Sequence, residues 1–207
     1  MNEKEEVLQH LSDIKSVLVD KDEFFPYNYN ALIVWGVIGM IMSLFMGVIF
    51  KDSLLYGAIF SFVIMTAGFM IEGFLVKKVN EAYDIEDCTK RQKFISIMFI
   101  MLAFFSIVLS VLLAKYNLII LAYSVWIFLI GMGSFALGFI LNIKIFTLAS
   151  YLKISAAILI MVATLFVGDL GSLDSMFFFF VQGATFVLLG VHPILIARKL
   201  KKETLSV

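Results

Sequence analysis

Six apolar runs alternate with short polar gaps along this chain. A helix needs about 20 apolar residues to cross a hydrocarbon core roughly 30 Å thick. The runs at about 31–50, 54–76, 94–114, 118–141, 150–168 and 175–197 approach or exceed that length. The fifth is the shortest, because its uncharged part covers only 154–167; it reaches a membrane's thickness if Lys153 extends its amine to the interface. Residues 142–150 then form an interfacial turn or helix. Ahead of the first run, Val7, Leu8, Leu11, Ile14 and Leu18 recur at helical spacing and make one apolar stripe on an otherwise charged segment.

The pattern predicts an all-α, polytopic transmembrane bundle of six helices, arranged as three hairpins and preceded by a cytoplasmic amphipathic helix. Residues 1–30 form that helix and an interfacial linker, 31–197 the six-helix domain, and 198–207 a basic tail. Composition fits this division. The chain is 62% hydrophobic, with a mean hydropathy of +1.02. That is too apolar for a soluble domain to cover its own surface, so lipid is the expected solvent.

Charge adds a direction. Of the 16 Lys and Arg, counting alternate gaps and tails together puts 14 on one face, with only Lys51 and Lys115 on the other. Cationic loops resist translocation, so the rich face is expected in the cytoplasm, with both termini there and the protein in the cell membrane. The single Cys88 excludes an internal disulfide and any cysteine cluster for a metal.

Small residues at four-residue spacing mark helix-packing faces: Gly39, Ser43 and Gly47 in the first run, Ser134 and Gly138 in the fourth. They predict close packing within the bundle; the first-run face is also the one suited to a homodimer.

Candidate chemistry is sparse. No GxxxxGK[ST], HExxH, paired CxxC or GxSxG motif occurs. An enzyme is not expected, nor is a cofactor or a nucleic-acid partner. Glu72 and His192 are ionisable residues within spans, roughly two turns inside the cytoplasmic boundary, and an intramembrane ionisable side chain is a functional candidate by default. With Gln182 they define a possible proton or ion path, provided that spans two and six are neighbours. Pro193, beside His192, is expected to kink or end the last helix.

The segment Ile14-Lys15-Ser16-Val17-Leu18, followed by Phe24-Phe25 and a glycine-bearing first span, resembles the opening of small six-span bacterial membrane proteins of no established activity. The resemblance implies the layout and no site residue. The sequence therefore supports a non-enzymatic membrane protein acting through a cytoplasmic partner or a second copy of itself, docked by the 7–18 stripe. The alternative is a small proton- or ion-linked transporter or channel using Glu72 and His192.

Overall fold

The computed structural model describes residues 26–85 and 87–205. The stripe Val7, Leu8, Leu11, Ile14 and Leu18 lies outside them. Five uninterrupted helices come first: α1 (Asn30–Asp52), α2 (Leu54–Ala82), α3 (Lys90–Lys115), α4 (Ile119–Leu141) and α5 (Lys144–Ala163), the last extended by a 3-10 turn over Thr164–Phe166. The sixth span is built in three pieces: α6 (Met176–Thr185), a π-helical segment (Phe186–Val191) and α7 (His192–Leu205). Six helices are thus long and apolar enough to span a membrane, and the chain has the fold of a multi-pass helical bundle.

Local chemistry explains the element boundaries. Ser53 caps α2 by accepting from the Tyr56 N–H, and Ser175 caps α6 by accepting from the Phe178 N–H. Thr89 and Gln92 form a capping box at the start of α3, which satisfies two backbone donors reciprocally. At the end of α4, Asn142 takes a left-handed conformation with φ of 52° and closes the helix as a C-cap.

Helices α1 and α4 are the inner members. The first packs on α2 and on all three pieces of the sixth span; the second packs on α3, α5 and α6. Large apolar side chains that stay exposed, such as Met70, Phe74, Phe104 and Phe139, lie on the outside, where lipid rather than water would solvate them. The third expected hairpin is not what the packing shows. Helix α5 lies along α4, while the sixth span packs on α1 and α4. Gly138 explains the α4–α5 seam: a methyl group there would meet the Thr147 amide nitrogen at 2.8 Å.

Two more expectations change. Helix α5 begins at Lys144, so residues 144–150 belong to the fifth span and need no separate interfacial element. Pro193 does not end the last helix. The chain widens into a π turn just before it and continues as α7, a local adjustment that accommodates the missing proline N–H.

Spans one and six meet backbone to backbone. A methyl at Gly39 would overlap the Leu189 carbonyl, and one at Gly36 would sit 2.7 Å from the Gly190 carbonyl oxygen. Further along α1, the Tyr123 hydroxyl enters the helical ladder. It donates to the Ser43 carbonyl at 3.0 Å and accepts from the Gly47 N–H at 3.0 Å, the two groups that face each other across one turn. Gly39, Ser43 and Gly47 are therefore used for close packing inside the bundle, as their spacing leads one to expect, and not left free on an outer face.

A central cavity with a carboxylate and a lysine

All six spans and the Tyr27 ring line one cavity of about 100 Å³. Its walls are mainly apolar. They include Met42 from α1, Met65 from α2, Ile130 from α4 and Leu189 from the sixth span. Two groups break this character, Glu72 and Lys153.

Glu72 reaches the cavity because it follows Gly57, Ser61, Met65 and Gly68 on the buried stripe of α2. Its carboxylate accepts a hydrogen bond of 2.9 Å from the indole N–H of Trp35. Phe69 packs edge-on against Trp35, with ring centroids 4.9 Å apart. Tyr27 completes an aromatic surround. Burial pushes the Tyr27 phenol well above its ordinary range, and the nearby Glu72 charge adds to the effect.

Lys153 corrects an expectation. The fifth span is long enough from Lys144 onward, and the lysine does not reach for the interface. It is 4% exposed, and its ammonium donates at 3.0 Å to Ser134 Oγ on α4. Ser134 in turn donates to the Ile130 carbonyl at 2.7 Å. Lys153 points inward because its neighbours on the same helical face, Ala149, Ser150 and Ala157, are buried and small, which lets α5 approach α4 closely. The count of Lys and Arg on the cation-rich side then falls from 14 to 13, still against 2.

The remaining candidates separate. His192 is half-buried at the start of α7 and does not line the cavity. Its Nδ1 is buried without a hydrogen-bond partner. Helix α2 packs on α1 and α3, whereas the sixth span packs on α1 and α4, so Glu72 and His192 are not joined. Gln182 donates to the carbonyls of Ser43 and Leu44, at 3.1 and 3.3 Å, and ties α6 to α1. It braces the Tyr123 insertion and does not line the cavity. Of these three residues, only Glu72 lines the cavity.

A second polar cluster was not anticipated. The side-chain amides of Asn80 and Gln92 bond reciprocally, at 3.1 and 2.8 Å, and Gln92 also donates to the Pro26 carbonyl at 3.2 Å. This buried knot fastens the entry of α1 to the α2–α3 connection. Its visible signal was the Thr89-x-x-Gln92 spacing of a capping box. Among the described residues, no group of three or more His, Cys, Asp or Glu is placed to hold a metal ion.

This is a multi-pass membrane bundle with an ionisable central cavity. No family model, curated protein or solved structure matches the chain.

Proposed function

We propose that the protein is a small-solute transporter whose central cavity holds the solute, with Glu72 and Lys153 as its polar contacts. One observation carries this reading: every span contributes to a single cavity, and that cavity contains both a carboxylate and a buried ammonium. Isolated charges are expensive to bury. A scaffold serving packing alone is better stabilised by apolar residues at both positions. Lys153 thus takes the place that the sequence suggested for His192. Docking through the 7–18 stripe rests on residues outside those described, and nothing in the described bundle favours it.

The chain supplies its own reporter. Trp35 and Trp126 are its two tryptophans, and both line the cavity. Protein reconstituted in lipid nanodiscs is expected to show a saturable change in intrinsic fluorescence with small amphipathic solutes. The change should disappear in a Glu72→Gln, Lys153→Gln double variant that remains folded. A panel of cationic, anionic, zwitterionic and neutral solutes giving no saturable change would end this reading.

The proposed orientation keeps both termini and the 77–93 loop in the cytoplasm of the cell, supported by the cation count. Cys88, the chain's one cysteine, is exposed in that loop. A membrane-impermeant maleimide should label it in inverted vesicles and leave it unlabelled in intact cells; the reverse pattern would invert the topology.

A further inference from the structure

The two polar contacts differ in kind. Glu72 sits among Trp35, Phe69 and Tyr27. A carboxylate with aromatic rings beside it is a chemistry that recognises an organic ammonium, through charge pairing and, where a ring face is offered, cation–π attraction. Lys153 is surrounded differently. It offers three donors, and Ser134 takes one of them. A buried ammonium held by a neutral hydroxyl suits a carboxylate or another organic anion. The hydrogen bonds that position Glu72 and Lys153 both go to neutral groups, so neither charge is neutralised by the other through direct bonding. The rest of the lining is mainly apolar, with Ile38, Met42 and Met65 among its residues. The cavity's volume of about 100 Å³ is of the order of the ~150 Å³ cavities that admit benzene, room for a short hydrocarbon segment.

We infer that the solute is a zwitterion whose ammonium and carboxylate stand at opposite ends of a short apolar segment, the ammonium at Glu72 and the carboxylate at Lys153. This rests on the transport reading above and goes further by fixing the solute's class and its orientation. A zwitterion brings both missing counter-charges at once and leaves the occupied cavity neutral. A singly charged solute would satisfy one side chain and leave the other buried without a counter-charge.

Tryptophan fluorescence titrations in nanodiscs test the inference with 4-aminobutanoate, 6-aminohexanoate and 8-aminooctanoate. Hexanoate, hexylamine and 1-hexanol serve as probes lacking one or both charges. The expected result is a preferred length among the amino acids, with hexanoate and hexylamine bound at least about tenfold more weakly than the best of them. Glu72→Gln can still accept from Trp35, and Lys153→Gln can still donate to Ser134, so both variants should fold, which thermal unfolding verifies. Glu72→Gln should weaken the amino acid about tenfold and leave hexanoate unchanged; Lys153→Gln should weaken it similarly and leave hexylamine unchanged. Equal binding of a singly charged or neutral probe overturns the zwitterion while leaving a solute site intact. Absence of binding by all probes overturns the inference and the transport reading together. The wild-type comparison among probes decides the matter even if a variant fails to fold.

Discussion

The seam between spans one and six and the cavity beside it are built from the same helices on opposite plans. At the seam, Gly36, Gly39 and Gly190 remove side chains until backbone touches backbone. In the cavity, the same α1 presents Trp35 and Met42, and the chain leaves space around two ionisable groups. Dense packing of small residues is how a membrane helix pair gains stability where no hydrophobic effect favours association. Space lined with charges does the opposite. The difference teaches where each kind of residue belongs: the seam holds the bundle together, and the cavity is where the proposed solute would sit.

The largest expected effect breaks the seam. Gly39→Leu places a side chain where the Leu189 carbonyl already is, and backbone cannot move aside as a flexible side chain can. The loss of stability should reach about 3 kcal/mol or more, read as unfolding in mixed micelles. Gly73→Ala is the matched control. Nothing lies within 4 Å of a methyl there, so the same measurement should find almost no change. Equal losses at the two positions would show that the cost is not specific to the seam, since both substitutions improve helix propensity.

How much of this contrast the sequence carried depends on which residue is asked. The six spans were legible because lipid imposes length and apolarity on each helix in isolation. Gly39 and Ser43 were legible as a packing face because four-residue spacing reports one side of a helix; which surface would cover them was not, since that depends on non-local contacts. Glu72 stood out as a charge inside a span. Lys153 was misplaced because charge alone was weighed, and a lysine near a short apolar run suggests the interface. The better signal was beside it: Ala149, Ser150 and Ala157 share its helical face, and small residues mark the face turned towards a neighbouring helix. The hairpin expectation failed for a related reason. Short connections show which helices can pair, but the close approach at Gly138, where a methyl would meet the Thr147 amide nitrogen, favours α5 against α4.

The next effect sharpens the cavity's side of the contrast. Lys153→Met keeps the length and bulk of the side chain and removes a charge whose recorded hydrogen bond goes to a neutral hydroxyl. If the lysine is there for the solute, the bundle should gain stability, by about 2 kcal/mol, while solute binding read by fluorescence weakens about tenfold or more. A variant that loses both stability and binding would make Lys153 a structural member of the α4–α5 seam instead, and the two regions would no longer differ in purpose.

The smallest effect tests whether the seam is sealed by shape or by hydrogen bonds. Tyr123→Phe removes the hydroxyl between the Ser43 carbonyl and the Gly47 N–H and preserves the ring that packs edge-on against Phe178 at 5.7 Å. The Ser43 carbonyl keeps its bond from Gln182, and the Gly47 N–H faces that same carbonyl across one helical turn and can close on it. The net loss should therefore be about 1 kcal/mol, measured by the same unfolding titration. Solute binding should be unchanged, because the hydroxyl joins α4 to α1 beyond the seam and Tyr123 does not line the central cavity. A loss comparable to that of Gly39→Leu would mean that the inserted hydroxyl, more than the close approach of glycine backbones, fixes how α1 sits in the bundle.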